Sequence, residues 1–250
     1  MLKMLRLFFE HLGRYSLMLK GMFTRPENGK VYWKEFMHQC IDIGFRSLPI
    51  VIIISVFLGA VMTVQTAYQL ISPIIPKYVM AQVVRDSVIL ELAPTIICIV
   101  LAGVVGSKIA SELGNMRVSE QIDALEIMGI NTKTYLILPK LVSALIMIPC
   151  LIVLAITLSI AGGFFTGIFT GIMSSEQYIY GLIEGFKAFG ILVAMVKAFT
   201  FAFIIASIPA YYGYNVRGGA LEIGRSSTTS VVVTCIMILF ADYVITMLML

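Results

Sequence analysis

The sequence predicts an all-α integral membrane protein with five membrane-spanning helices, and three observations predict it. Hydrophobic residues make up 59% of the 250 residues and charged residues only 13%, whereas soluble domains carry about 25% charged residues. The mean hydropathy is +0.97. Five charge-poor stretches are long enough to cross about 30 Å of hydrocarbon as helices. Too few charges remain to cover a water-facing surface, so soluble enzymes, secreted disulfide scaffolds and disordered regulators are excluded.

The five spans are predicted near residues 46–70, 84–108, 139–172, 189–214 and 227–249. The third is ambiguous, because 35 uncharged residues contain Gly162 and Gly163 and could hold two short spans. Basic residues favour five spans. With a cytoplasmic N-terminus, fourteen of the 18 Lys and Arg residues lie inside and three outside, as the positive-inside rule requires. Dividing the third span would move Arg217 and Arg225 outside, so the C-terminus is predicted to be periplasmic.

Residues 1–45 are predicted to form interfacial helices that precede the five-span domain of residues 46–250. Apolar residues recur at helical spacing through the first 24 residues, and the basic residues fall elsewhere. Such a helix suits the headgroup region of an anionic inner leaflet. The alternative, a cleavable signal peptide, requires an uninterrupted apolar stretch and a small-residue cleavage site, and neither is present. Residues 25–30 are predicted to turn into a second short helix carrying Trp33 and Phe36.

Several chemistries are not expected of this chain. The four cysteines are scattered, without a CxxC pair or a histidine at ligand spacing, so no metal or redox site is predicted. The phosphate-binding pattern GxxxxGK[ST] does not occur. Any ATP that drives the protein must therefore bind a separate subunit, and no cofactor is expected in this chain. The net charge of +4 reflects membrane topology and not nucleic-acid binding.

Residues 108–135 form a polar island between the second and third spans. Ser119 is predicted to cap a helix of about ten residues, with Glu120 and Asp123 in its first turn and Gly129 at its end. One face carries three apolar residues: Ile122, Leu125 and Met128. A short amphipathic helix of this kind either docks against another protein or lies on its own membrane domain, and the residues alone do not separate the two.

Residues 103–130, GVVGSKIASELGNMRVSEQIDALEIMGI, closely resemble the signature of the MlaE family of ABC-transporter permeases, which transport lipids in bacterial envelopes. The resemblance extends along the chain. Residues 91–94, Glu-Leu-Ala-Pro, are similar to the family's Glu-Leu-Gly-Pro, with Ala93 in place of glycine. Residues 212–226 resemble the loop between the fourth and fifth spans, and Asp242 stands where the last helix of the family carries an acid.

The resemblance implies a homodimeric permease subunit in a bacterial inner membrane, moving phospholipid between that membrane and the outer envelope. It also implies a cytoplasmic ATPase (MlaF-like) that holds ATP and Mg²⁺, a periplasmic MCE-domain protein (MlaD-like) and a small STAS-domain protein as an optional partner. The helix around residues 119–129 would be the coupling helix that contacts the ATPase. The residues expected to couple the two subunits are Glu112, Arg117, Glu120, Asp123, Leu125, Glu126 and Met128.

Two charges within spans are candidate functional residues, because such charges are costly in a membrane. Glu91 lies in the second span and Lys197 in the fourth. They either neutralise one another as a structural ion pair or face a cavity and meet a lipid headgroup. The family often has a basic residue just before this Glu, but here that position is Leu90, and Arg85 is the nearest substitute.

The end of the first span is assigned by the resemblance to the lipid cavity, through Gln65, Tyr68, Leu70 and Ile74. Tyr68 has an alternative role as an interfacial aromatic anchor. In the third span, Gly163 and Gly167 form a GxxxG pattern that predicts close helix packing, with a dimer contact as the alternative.

Two other classes of function stay open at this stage. A proton-coupled secondary transporter would use Glu91 or Lys197 as a relay, but it usually contains inverted repeats, and five unequal spans show none. A non-transporting envelope scaffold would need no charges inside its spans.

Overall fold

The computed structural model describes residues 2–22, 29–70 and 76–250, and within them the side chains from residue 9 onward. In these ranges all regular structure is helical, which agrees with the all-α prediction. Helices α1 to α4 span Leu2–Met22, Gly29–Ile43, Leu48–Gln69 and Tyr78–Ser87. Helices α5 to α8 span Ile97–Leu101, Ser107–Val118, Gln121–Ile127 and Leu138–Phe169. Helices α9 to α11 span Ser175–Ile183, Ala188–Tyr214 and Ala220–Met249.

Short non-α segments join some of these helices without breaking the helical path. A 3₁₀ turn, Phe45–Ser47, connects α2 to α3. Three π-helical segments occupy Val88–Ile96, Ala102–Gly106 and Lys133–Ile137. A π-helical segment widens the helix by one residue per turn and is frequent at functional sites.

Five helical segments in the described ranges are long and apolar enough to cross a membrane, so the predicted number of spans is confirmed. The third span is one continuous helix, α8, which passes through Gly162 and Gly163 without a break. The first two spans, Gly29–Gln69 and Tyr78–Val118, are each 41 residues long, which corresponds to about 60 Å. The first contains the predicted span as α3 and the predicted short helix as α2. The second extends beyond the predicted residues 84–108 at both ends, because hydropathy marks only the part of a helix that lies in hydrocarbon.

The closest helix packing joins α3 to α8. A Cβ atom added at Gly59 would overlap the backbone carbonyl of Ser159, and one at Gly162 would overlap the carbonyl of Val56. A Cβ at Gly163 would lie 2.6 Å from both Thr63 Oγ1 and Tyr178 Oη. Small residues allow such approach of helix backbones in membranes. Close packing along this face of the third span is thereby confirmed at Gly162 and Gly163, with Gly59 as its counterpart in the first span.

The N-terminal helix α1 packs beside the C-terminal part of α10 and the start of the third span. Met18 and Met22 are buried, and Thr134 Oγ1 lies 3.3 Å from the Met22 carbonyl. The Tyr15 hydroxyl donates to Ser207 Oγ at 2.7 Å, and burial raises the Tyr15 pKa. Leu12 remains exposed. Part of the apolar stripe of α1 therefore covers protein, and the interfacial placement of residues 1–45 stays a prediction. Within residues 1–45, residues 23–28 and the side chains before residue 9 lie outside the described part of the chain.

Candidate functional site

The connection between the second and third spans folds as two short helices. Helix α6 ends at Val118, and α7 begins two residues after Ser119. The sequence predicted Ser119 as the N-cap of α7, and this prediction is wrong. Its hydroxyl donates to the carbonyl of Asn115 at 2.7 Å, so it closes α6 instead. Glu120 stands at the N-cap position with a left-handed φ of 60°. Helix α7 is thus seven residues long, three fewer than expected.

The predicted end of α7 is confirmed. Gly129 has a φ of 81°, a conformation that favours glycine. Its amide donates to the carbonyl of Glu126 at 3.0 Å, and the amide of Ile130 donates to that of Leu125 at 3.1 Å. These bonds satisfy two carbonyls at the helix end and turn the chain back toward the third span.

A polar network ties this segment to the C-terminal end of α10. The Tyr214 hydroxyl donates to Glu126 Oε1 at 2.8 Å, and Thr132 Oγ1 lies 2.7 Å from Tyr214 Oη. Arg117 pairs with Asp123 at 2.6 Å, and its guanidinium lies 5.9 Å from the centre of the Tyr214 ring. Three of the predicted coupling residues therefore hold the segment in place. The aromatic partner Tyr214 was not predicted.

Other predicted coupling residues point away from the membrane domain or lie elsewhere. Glu120 is exposed, and Met128 is 65% exposed beside Ile127 at 88%. Ile122, which was expected to share their face, is fully buried beneath α7. Leu125 is half-buried. An exposed tip of this segment thus includes residues 120 and 127–128.

Glu112 lies apart from this tip. Its Oε2 is 2.8 Å from Nζ of Lys140, a buried lysine at the start of α8. The pair joins α6 to α8 at the inner side of the bundle. Glu112 therefore belongs to a helix-to-helix ion pair and not to the exposed tip.

A charged cluster lies within the spans, and its centre is Lys197. The ammonium is 2.7 Å from Glu91 Oε1 and 2.7 Å from Asp242 Oδ1, and it donates to the carbonyl of Leu90 at 3.0 Å. Lys197 is completely buried, whereas the Glu91 side chain is 42% exposed. Thr246 donates to Glu91 Oε1 at 3.1 Å. The ammonium therefore has one hydrogen bond, to the Leu90 carbonyl, and two ion-pair contacts, to Glu91 and Asp242.

Three elements bring this cluster together. Glu91 lies in the π-helical segment Val88–Ile96, Lys197 in α10, and Asp242 in α11. The cluster contains two carboxylates and one ammonium. A buried charge is costly unless it is paired, so each helix depends on the others here. The predicted contact of Glu91 with Lys197 is present, and the pairing of Asp242 with Lys197 is a feature that the sequence did not assign.

The predicted cavity residues of the first span do not join this cluster. Gln65 and Tyr68 are exposed, Tyr68 by 78%, and they line a shallow apolar groove of about 500 Å³ with Thr166. Leu70 instead packs beside the buried Tyr178. Ile74 lies outside the described residues.

Arg85 does not substitute for a basic residue next to Glu91. It is buried, and its Nη1 donates to the carbonyls of Leu182 at 2.8 Å and Glu184 at 2.9 Å. It also pairs with Asp86 at 2.8 Å and lies 5.5 Å from the centre of the Phe186 ring. Its charge is used to hold the end of α9 against α4.

Comparison with known proteins identifies the family. The family model described as Permease MlaE matches residues 36–248. The chain belongs to the MlaE permease family. It is 34% identical to the "Probable ABC transporter permease protein" of Rickettsia bellii over 95% of this chain and 91% of that protein. It is 29% identical to a protein of the same description from Synechocystis, over 98% of this chain and 93% of that protein. It is 30% identical to TRIGALACTOSYLDIACYLGLYCEROL 1 of Arabidopsis thaliana chloroplasts, over 87% of this chain and 62% of that protein.

The sequence-based identification as an MlaE-family protein is therefore confirmed. The chain is a multi-pass membrane protein and a lipid-transport permease of the ABC type. An ABC transporter permease works with an ATPase, so the membership implies such a partner. The MlaE match covers all five spans, the segment around α7 and the three charges around Lys197.

Proposed function

We propose that this MlaE permease is the membrane subunit of a transporter that moves phospholipid between the bacterial inner membrane and the outer envelope. Two copies would form the lipid cavity, and a separate cytoplasmic ATPase would bind ATP and Mg²⁺. The chain itself would have no catalytic residue. The N-terminus would be cytoplasmic and the C-terminus periplasmic, as the distribution of Lys and Arg favours.

The observation that carries this proposal is the double attachment of α10. Tyr214, its last residue, is bonded to Glu126 of the cytoplasmic segment. Lys197, 17 residues earlier in α10, is paired with Glu91 and Asp242. The two positions are about 25 Å apart along the helix. A continuous helix held at both points can carry a displacement of α7 to the charged cluster in the spans.

The exposed tip around Glu120 and Met128 is suited to the ATPase. It combines a carboxylate with an apolar surface formed with Ile127, and α7 holds it clear of the bundle. ATP binding in the partner would press on this tip. The Arg117–Asp123 pair would keep α7 from moving independently of α6.

The surfaces of the spans favour a lipid as the cargo. The groove beside Gln65 and Tyr68 is lined almost entirely by apolar atoms. Helix α11 likewise presents exposed apolar side chains, among them Val232, Ile236, Phe240 and Met247. A second copy and acyl chains would cover these surfaces. Glu91, the exposed member of the charged cluster, would face the headgroup. An MCE-domain protein on the periplasmic side, and a STAS-domain protein in the cytoplasm, would complete the assembly.

The two alternatives make different predictions. A proton-coupled transporter would use the ionisable groups around Lys197 without any ATPase. An envelope scaffold would move no lipid at all. Both alternatives leave unexplained why α7 is bonded so closely to α10.

The test is lipid movement in proteoliposomes that contain the complex purified from native membranes. We expect a co-purifying ATPase and MCE-domain protein, and lipid movement that requires ATP hydrolysis. A proton gradient that drives movement without ATP would instead favour the secondary transporter. An assembled complex that moves no lipid under either condition would favour the scaffold.

A further inference from the structure

A polar cavity lies where α1 meets the connection between α10 and α11. Its volume is about 360 Å³. It is separate from the charged cluster, because Tyr212 at its wall is 15 residues beyond Lys197 in α10, about 22 Å along the helix. Its lining residues that matter here are His11, Arg14, Tyr212, Arg217, Glu222 and Arg225.

The cavity has an excess of positive charge. Three arginines line it, against one carboxylate, Glu222. Arg225 pairs with Glu222 at 2.8 Å, and Arg14 pairs with Glu10 at 2.6 Å. Arg217 forms no ion pair with any residue that the structure describes, and it is exposed. One guanidinium is therefore available to an anion, and the two others can each add a hydrogen bond.

The start of α11 adds to the positive electrostatic potential at this cavity. This helix has 30 residues, and its N-cap is Gly219, which offers no side-chain hydrogen bond to the first turn. The free amides of a helix N-terminus favour an anion. Glu222 offsets part of this effect from within the first turn. The arginines and the helix end come from different parts of the chain, and they favour the same kind of ligand.

An apolar surface lies beside the cavity. Helix α1, which contributes His11 and Arg14, also exposes Phe9 and Leu12. The His11 ring is held by the Tyr211 hydroxyl, 2.8 Å from Nδ1, so α1 is fixed against α10 at this point. A charged cavity with adjoining exposed apolar side chains fits a headgroup with acyl chains better than it fits a small free ion.

We propose that this cavity binds the phosphoryl headgroup of an anionic phospholipid, which thereby bridges α1 to the junction of α10 and α11. The bound lipid is a structural ligand of the leaflet and not the transported cargo. The proposal rests on the orientation given above, which places this junction at the cytoplasmic surface, and not on the identity of the cargo. Arginine forms bidentate hydrogen bonds to phosphate, and juxtamembrane basic residues attract anionic lipids.

The test is lipid retention by the full chain in nanodiscs of phosphatidylglycerol and phosphatidylcholine, read by native mass spectrometry. The variant is the double substitution Arg217→Ala and Arg225→Ala. Both residues are exposed, so the fold should tolerate the change. The matched control is Lys77→Ala with Lys187→Ala, which removes two exposed charges from the other end of the spans. Arg217→Lys keeps the positive charge and loses the paired N–H donors of the guanidinium. Inorganic phosphate at 10 mM serves as a competing probe.

We expect the arginine variant to weaken phosphatidylglycerol retention by roughly twentyfold, since each juxtamembrane arginine contributes on the order of fivefold. The lysine control should retain it, and Arg217→Lys should lie between. Equal retention by the arginine and lysine variants would overturn the proposal. Full displacement by inorganic phosphate would reassign the cavity to a free anion. If the arginine variant retains the lipid but no longer co-purifies with the ATPase from native membranes, the cavity would be reassigned to a protein partner.

Discussion

Lys197 and Asp242 are 45 residues apart in sequence, and the ammonium of one lies 2.7 Å from the carboxylate of the other. Glu91 approaches the same ammonium at the same distance. The fourth span is therefore fixed to both the second and the fifth by one side chain. A single lysine determines how three helices meet inside the membrane.

Replacing Lys197 by methionine should be strongly destabilising. Removing one partner from a buried ion pair typically costs about 3–5 kcal/mol, and here the cost comes mainly from Asp242, which is 16% exposed, because Glu91 is 42% exposed and can be solvated. Here two carboxylates would be left, so the thermal unfolding temperature in detergent should fall. Asp242→Asn should cost less, since Lys197 keeps Glu91.

A charge-neutral triple variant provides the control for that prediction. Glu91→Gln, Lys197→Met and Asp242→Asn together leave no unpaired charge, so the triple variant should be more stable than Lys197→Met alone. Lipid movement should still be lost. If the triple variant is as unstable as the single one, packing and not charge accounts for the effect.

Tyr214→Phe should weaken the link between α7 and α10. It removes the hydroxyl that donates to Glu126, and a hydrogen bond to a charged group contributes about 1.5–3 kcal/mol. We expect ATPase activity of the complex to persist while lipid moved per ATP falls severalfold. Tyr135→Phe is the control, because that hydroxyl forms no hydrogen bond with the described residues. Equal loss in both variants would contradict the coupling role.

Gly59→Ala should loosen the contact of α3 with α8. The new methyl group would meet the Ser159 backbone, and overpacking of this kind costs about 1–3 kcal/mol. The measurement is the unfolding temperature of the purified chain. Gly103→Ala is the matched control, because a Cβ atom added at Gly103 meets no other atom within 4 Å. A smaller change at Gly59 than at Gly103 would rule out the close contact.

Arg85→Gln should release the end of α9. Its guanidinium holds the carbonyls of Gly181, Leu182 and Glu184, and a buried hydrogen bond to a charged group contributes about 1.5–3 kcal/mol. Hydrogen exchange in residues 175–187 should accelerate at least about tenfold. Lys77→Ala, an exposed change at the N-cap of α4, should leave it unaltered. Unchanged exchange in Arg85→Gln would contradict the anchoring role.

The sequence predicted the features that depend on composition and local pattern. Hydropathy and charge gave the number of spans, and the polar island with Gly129 predicted α7 and its end. The charges inside spans singled out Glu91 and Lys197, with an ion pair between them as one of two alternatives, and that pair is present. These features are encoded within a few turns of chain, where periodicity and propensity act directly.

The remaining features depend on how distant helices are rotated against one another. The pairing of Asp242 with Lys197 requires a particular face of α11, and an apolar helix has no periodic pattern that reveals its buried side. Arg85 and Ser119 were misassigned for a related reason. Each satisfies nearby backbone carbonyls, a choice between local and distant partners that sequence alone does not decide.

Three oxygens surround the buried ammonium of Lys197: Glu91 Oε1 and Asp242 Oδ1 at 2.7 Å, and the Leu90 carbonyl at 3.0 Å. A phosphate that reached this lysine would therefore have to replace one of its present acceptors. The headgroup would bind in the same step in which Lys197 gives up its contact with a neighbouring helix. Binding of a headgroup and the arrangement of the three helices would then depend on the same three contacts of Lys197.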